Sequence, residues 1–274
     1  MIISKLAGGL GNQMFQYAIA KSIAIKNNDA FKLDISFYSK QTLRHYELKF
    51  FTIEKSLDSG ESLLSKVKRR LGFIPENYYR EKETTRFDKK VFDYEGNIIL
   101  DGYWQNENYF KEIRDELLKD FTPKTDISNE AKKHLEQICS SNSISIHVRR
   151  GDYIHNSHIN NVHGICDLDY YLKAIEYVNE NTANTKYFIF SDDIVWCKEK
   201  FDFLDNKIFV DDTKSGIEDL ELMKHCKHNI IANSTFSWWA AWLNENDNKI
   251  VIAPKTWWAA KQDKHIAPLN WEKI

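Results

Sequence analysis

No two cysteines in this chain lie close enough to form a C-x-x-C clasp. The four present, Cys139, Cys166, Cys197 and Cys226, stand far apart. That spacing argues against a zinc site, and a chain this long does not need a disulfide framework. The expectation is reduced thiols in a cytoplasmic protein. Also missing is any stretch approaching the roughly 20 apolar residues of a membrane span. The N-terminus, MIISKLAGGLGNQMF, has neither the basic region nor the apolar run of a secretion signal. Membrane contact would therefore be peripheral, at the inner face, and no more. Excess charge is absent too. A formal net charge of −2 argues against a nucleic-acid binder that works through overall positive charge. There is no internal repeat and no low-complexity tract. What remains, 42% apolar and 28% charged over 274 residues, is an ordinary globular composition with length for one large domain or two modest ones.

Aromatic residues, by contrast, are plentiful at 14%, with eight tryptophans. Such content suits ring stacking or sugar binding, and large cores use it as well. Residues 1–6 read as a short apolar strand. The turn Ala7-Gly8-Gly9-Leu10-Gly11-Asn12-Gln13 follows, then a helix from about 14 to 26 with Phe15, Ile19 and Ile23 at helical spacing. Glycines in such a turn let backbone N–H groups approach a ligand, and a helix N-terminus favours an anion. No G-K-[ST] closes the turn and no G-x-G-x-x-G is present, so neither a Walker loop nor a dinucleotide fingerprint is met. A ligand-free glycine turn remains the other reading.

A second strand is expected at 31–34. From 36 to about 90 the chain reads as irregular and polar. Within that stretch, LLSKVKRRL at 63–71 is a short basic amphipathic helix. It is either a solvated face or a contact for an anionic membrane surface or lipid-linked substrate. A strand at 97–100 runs into DGYWQNE at 101–107, which offers aromatic and amide groups for a sugar platform or a packed corner. Helices are expected near 109–118 and 129–138.

After residue 143 the rhythm is plainer. Strands fall near 143–148, 187–190, 208–210, 229–232 and 250–253. Helices fall near 169–178, 194–201, 216–225 and 236–244. That alternation means βαβ units and a parallel sheet. The expected organisation is two α/β halves facing a cleft, with a boundary between 125 and 142.

Polar clusters end several of these strands. In SISIHVRRGDY, residues 143–153, a buried strand releases Arg149 and Arg150 at its carboxyl end, where open α/β sheets bind ligands. A guanidinium fork suits phosphate oxygens. An arginine pair held by Asp152 and a neighbour is the structural alternative. Strand alternation points His147 and Arg149 the same way and Arg150 the other. Ser191-Asp192-Asp193 follows the next strand; its carboxylates fit a guanine edge, a divalent metal or a helix cap. Asn233-Ser234-Thr235-Phe236-Ser237 turns into a helix, so its hydroxyls and N–H groups make a second anion site. Trp238, Trp239 and Trp242 beyond it read as core. His155, His158 and His163 cluster after the arginines and fit a general base better than a metal set.

Four blocks, GGLGNQMFQYA at 8–18, HVRRGDY at 147–153, FSDD at 190–193 and NSTFSWWAAWL at 233–243, together resemble the α-1,2-fucosyltransferases of glycosyltransferase family 11. Residues 36–96 match nothing in that family's pattern. The resemblance implies an α/β fold of GT-B type, two Rossmann-like domains with parallel sheets facing a cleft. Residues 1–140 would form the acceptor-side domain with the Gly-rich loop, and 141–274 the domain that binds GDP-fucose. It implies inverting transfer of L-fucose from GDP-β-L-fucose to the 2-hydroxyl of a galactoside, with no cofactor and no metal. The partners would be GDP-fucose and a galactoside acceptor, lipid-linked in the case of a bacterial O-antigen. By resemblance, Arg149 grips the β-phosphate and His147 lies against the guanosine. Asp193 or Asp192, after Ser191, reads the guanine edge. Ser234, Thr235 and Ser237 bond the diphosphate, and Gly9 and Asn12 reach the diphosphate or fucose. The base is drawn from Asp152, His155, His158 and Glu107. A metal-dependent transferase using Asp192 and Asp193, and a carbohydrate-binding module without turnover, are the rival readings.

Overall fold

The computed structural model describes residues 1–53, 57–58, 77–94, 96–151, 164–259 and 266–274. The chain divides into two compact units, Met1–Lys124 and Thr125–Ile274. The expected helix at 63–71 and the loop carrying Asp152, His155, His158 and His163 lie outside the described residues.

Unit 1 holds β1 (Ile2–Lys5), α1 (Leu10–Asn27), β2 (Phe31–Asp34), β3 (Leu57–Asp58), β4 (Tyr78–Arg80), β5 (Ile98–Asp101) and α2 (Arg114–Asp120). Its sheet runs β3-β2-β1-β5-β4, with every pair parallel. The chain order reverses between β1 and β5. Three readings of this half need correction. Helix α1 begins at Leu10, so Gly11, Asn12 and Gln13 stand in its first turns rather than before it. The stretch read as irregular contributes β3 and β4. Residues 109–118 are not one helix but 3-10 turns, Glu107–Tyr109 and Lys111–Ile113, leading into α2.

Why α1 starts early is visible in its polar side chains. Gln13 is fully buried. Its amide donates to Gly8 O and His45 O, and its Oε1 accepts from Glu47 N and Leu48 N. Gln16, also buried, accepts from Ala7 N at 2.9 Å and donates to Gly102 O at 3.0 Å, which ties the ends of β1 and β5 together. A buried polar side chain that satisfies backbone groups this way is costly to remove, about 1–3 kcal/mol for each group left unpaired. Met14, Phe15, Tyr17, Ala18 and Ile19 bury the remaining faces of the helix.

Unit 2 holds α3 (Asn129–Cys139), β6 (Asn142–Val148), α4 (Leu168–Asn181), β7 (Thr185–Ser191), α5 (Ile194–Lys200) and β8 (Lys207–Phe209). It continues with α6 (Gly216–His225), β9 (His228–Ile230), α7 (Thr235–Leu243), β10 (Val251–Ala253) and β11 (Glu272–Lys273). The sheet order is β11-β10-β9-β6-β7-β8, again with every pair parallel. Each expected strand and helix of this half is present, and only β11 went unread. Ile144, Ile146 and Val148 of β6 pack into a core with Tyr171, Val178, Ile189 and Phe201. The apolar α7 is buried all round, as its sequence required. Trp238 and Trp242 stack, Trp239 meets both edge-on, and Trp238 Nε1 donates to Ile266 O at 3.0 Å.

Both sheets reverse direction beside a strand whose sequence the motifs had singled out. In open α/β sheets that switch point, at the carboxyl ends of the strands, is where ligands bind. Unit 1 places the Gly8–Asn12 turn there, and unit 2 places Arg149.

Candidate functional site

The unit 2 site is built by register. Val148 of β6 pairs with Ser191 of β7, so the residues that follow each strand emerge side by side. Arg149 Nη1 meets Asp192 Oδ2 at 2.8 Å, and Arg150 Nε meets Asp193 Oδ2 at 3.2 Å. The Arg150 backbone N–H donates to Asp192 Oδ1 at 2.8 Å, while Asp193 Oδ1 accepts from Trp196 N and caps α5. Ser191 Oγ accepts from Asp193 N at 2.9 Å. All four oxygens of the two aspartates are thus engaged, and a guanine edge or a metal would have to share them. Arg150 also lies over the Trp196 ring, 4.1 Å from its centroid, which adds a cation–π contact to its ion pair. Gly151 is glycine for a local reason, since a Cβ there would stand 2.9 Å from Asp192 Oδ2. The arginines therefore diverge, as strand alternation required: Arg150 is fixed between Asp193 and a tryptophan face, and Arg149 is held from the Asp192 side.

His147, one strand position from Val148, is buried. Its ring lies 5.6 Å from Phe236 of α7, so β6 and the start of α7 meet at this point. Burial, reinforced by the neighbouring Arg149 charge, pushes its pKa down to about 3. The imidazole is therefore neutral at working pH, and its buried Nδ1 has no hydrogen-bond partner among the described residues. Orphaned buried polar atoms are rare and mark either strain or a missing partner. Ser234 caps α7, its Oγ accepting from Phe236 N, and Thr235 is half-buried beside it. Ser237 is fully buried and donates to Ser234 O, so its hydroxyl is turned into the helix. The first turn of α7 holds no acidic residue. A cavity of about 470 Å³ opens next to this corner, lined among others by Asn233, Cys166, Asp167, Lys173 and Lys255. Local sequence gave no sign of it, because it is assembled from the ends of β9 and β10 and the start of α4.

Unit 1 has a different electrostatic character. Gly8 adopts φ +84°, and a Cβ there would stand 2.6 Å from Asn12 Nδ2. Asn12 Oδ1 accepts from Gln105 Nε2 at 2.8 Å, which bridges the switch point. Gly9 precedes α1 in extended backbone with no side-chain cap. The Glu47 carboxylate lies near the Leu10 N–H, and burial raises its pKa against the pull of Arg44 and His45. Sequence reading missed Glu47, one of several acids inside the polar stretch with no local signal to set it apart. Tyr38 Oη donates to Gly8 O at 3.0 Å. Glu107 sits in the 3-10 turn Glu107–Tyr109, capped by Asn106. Among the described residues, no group of three or more His, Cys, Asp or Glu side chains is arranged to hold a metal ion. Among the same residues no helix is long and apolar enough to cross a membrane.

Residues 1–274 match the profile of the family described as Glycosyl transferase family 11. The chain is 36% identical to an alpha-1,2-colitosyltransferase of Escherichia coli, over 100% of this chain and 99% of the relative. It is 34% identical to the E. coli O-antigen biosynthesis glycosyltransferase WbnK, over 98% of each. Among solved structures it is similar to NodZ alpha-1,6-fucosyltransferase soaked with GDP-fucose, with TM-score 0.52 and 16% identity over 88% of this chain and 91% of that one. It is also similar to an Arabidopsis thaliana FUT1 variant in complex with GDP, with TM-score 0.53 and 10% identity over 91% of this chain and 69% of that one. These likenesses, with two parallel α/β units in one chain, give the fold as GT-B type.

Proposed function

The chain belongs to glycosyl transferase family 11, and from that premise we propose that it transfers L-fucose from GDP-β-L-fucose to the 2-hydroxyl of a terminal β-galactoside in a surface glycan. The observation that carries the reading is the unit 2 switch point. There Arg149 is fixed at the end of β6, beside a helix start that is free of acidic residues. As the bond from the sugar C1 to GDP breaks, negative charge grows on the β-phosphate. Arg149 and the Thr235 N–H at the start of α7 stabilise it as the oxygen departs. The acceptor hydroxyl forms the new C1–O bond from the opposite face, which inverts the linkage to α. Its proton passes to a base drawn from Asp152, His155 and Glu107, and GDP leaves. Unit 2 is the donor-binding unit and unit 1 the acceptor side, where Gly9 and Asn12 meet neutral hydroxyls. The reaction needs no metal, and the acceptor is lipid-linked.

A second reading is favoured by one observation, the relative whose name gives colitose as its sugar. Colitose is the 3-deoxy counterpart of L-fucose, so the same phosphate grip would serve it. The test is purified protein with either GDP-linked sugar, lactose and excess chelator, with the product linkage read by NMR. An α-1,2-fucosyl product in chelator is expected. Product from the colitosyl donor alone would replace fucose in the reading. Release of GDP that stops in chelator would overturn the metal-free mechanism. Among Asp152→Asn, His155→Gln and Glu107→Gln, the base is the residue whose loss removes the lower limb of the pH–rate profile.

A further inference from the structure

We infer that unit 1 carries a separate pyranose subsite, a pocket walled by Tyr79, Phe87, Trp104 and Tyr109, which holds a neutral sugar of the acceptor next to the one that is modified. The inference rests on the galactoside reading of the acceptor. The pocket, of about 280 Å³, opens at the carboxyl ends of β4 and β5. Its aromatic wall is continuous: ring centroids lie 6.1 Å apart for Tyr79 and Trp104, 5.5 Å for Trp104 and Tyr109, and 4.9 Å for Phe87 and Tyr109.

Two observations mark it as built for a ligand. Trp104 is completely buried, yet its indole N–H has no hydrogen-bond partner among the described residues. An indole N–H in the interior almost always finds an acceptor, so one lining a pocket leaves a place for an acceptor brought from outside. Trp104 is also held at φ +58°, a left-handed conformation that a bulky residue rarely adopts. Its neighbours enforce it. The Glu81 carboxylate accepts from Tyr103 N at 2.7 Å and Trp104 N at 2.9 Å, and Gly102 leaves no room for a Cβ, which would stand 2.3 Å from Glu81 Cβ. Strain so over-determined is characteristic of binding sites.

The lining specifies the ligand class. Three acidic and three basic side chains line the pocket, so its formal charge balances and no anion is favoured. The partly exposed rings of Tyr79 and Phe87, backed by the buried Trp104 and Tyr109 and ringed by donors and acceptors of both kinds, suit a polyhydroxyl ring. Position connects the pocket to the reaction. Gln105, the residue after Trp104, is bonded to Asn12 of the Gly-rich turn. A glycan whose galactose is presented at Asn12 would place its next sugar against Trp104, and this subsite would therefore read the sugar beneath the galactose.

Saturation-transfer NMR without donor tests this with lactose, galactosyl-β1,3-N-acetylgalactosamine and methyl β-galactoside as probes. Arg86→Ala is expected to weaken disaccharide binding about tenfold, the effect of one hydrogen bond to a charged group, and to shift the ratio of disaccharide to monosaccharide KM by a similar factor. Tyr79→Phe, which removes a hydroxyl that donates to Asp88, is expected to act in the same direction by less. Trp104→Phe keeps the ring and loses the N–H; if it fails to fold, the other two variants carry the test. Disaccharide binding unchanged in both variants, or weakened equally for the monosaccharide, overturns the subsite. Wild-type protein that binds these disaccharides but never consumes GDP-fucose would instead overturn the fucosyl reading and leave the subsite standing.

Discussion

The two units answer the same architectural question with opposite charge. Each has a parallel sheet whose order reverses beside a key strand, and each begins a helix near that point. In unit 2 the strand end carries Arg149, and the helix start at Ser234 is free of acids. In unit 1 the Glu47 carboxylate lies at the corresponding helix start together with the Arg44 guanidinium, which offsets its charge, and the amides of Asn12 and Gln105 bond each other nearby. A helix N-terminus attracts anions only while its N–H groups and its positive end are unclaimed. The same topology therefore yields one end suited to a diphosphate and one suited to neutral hydroxyls. Glycine-rich turns cannot be equated with phosphate cradles until the partner of the first helical N–H is known.

The most damaging way to test this contrast is Arg149→Ala. Turnover is expected to fall roughly 10²-fold or more, by analogy with loss of one oxyanion donor, while Asn12→Ala acts mainly on acceptor KM. Steady-state kinetics on both substrates check it, and near-wild-type kcat in Arg149→Ala would end the contrast. Next in size is a pH effect on unit 2. His147 titrates near its ordinary 6.5 when unfolded and at about 3 when folded. Between those values the unfolded chain binds a proton that the native state refuses, so stability falls as pH drops below about 6.5. The slope is at most about 1.4 kcal/mol per pH unit for one proton. Urea melts of wild type and His147→Phe from pH 7.5 to 5 should show the variant's slope lower by one proton.

Gly8→Ala follows. Its positive φ and the approach of Asn12 predict a loss above about 1 kcal/mol, read from the midpoint of chemical unfolding, with β-galactoside binding weakened in the same variant. The smallest effect is expected for Glu47→Gln. Burial raises the Glu47 pKa, so the folded state disfavours its charge, and neutralising it should leave stability unchanged or higher by about 1 kcal/mol or less. It should also raise the affinity of unit 1 for inorganic phosphate, measured by titration. No change in phosphate binding would mean that the Glu47 charge does not decide the ligand class.

Much of this was legible because unit 2 obeys simple rules. Its strands are short apolar runs, its helices have regular periodicity, and its arginines follow directly from β6. What local sequence could not show is pairing. Asp192 and Asp193 looked free to read a base or hold a metal, because only the register Val148 to Ser191 brings them to Arg149 and Arg150. In unit 1 the strands β3 and β4 are two and three residues long, too short for any alternation to register. Gln13 and Gln16 were concealed for a related reason. Amides after a glycine turn look like loop residues, and only the path of residues 45–48 and of the β5 end turns them into buried staples. Arg149 and the core tryptophans were therefore accessible to sequence reasoning. Glu47, Glu81 and Trp104 take their meaning from neighbours distant in the chain.

The distribution of tryptophan has a practical consequence for spectroscopy. Of the eight indoles, Trp104 alone belongs to unit 1, and the other seven belong to unit 2. Trp238 and Trp242 stack with centroids 6.1 Å apart at an interplanar angle of 11°, and Trp239 meets each of them nearly edge-on. Chromophores so closely packed couple their excited states, and the resulting circular dichroism couplet should report on unit 2, where Trp271 also packs on Trp238 and Trp257 meets Trp258. In a Trp104→Phe background, all tryptophan emission would come from unit 2. Its unfolding could then be followed optically, with the far-ultraviolet signal left to register the loss of unit 1.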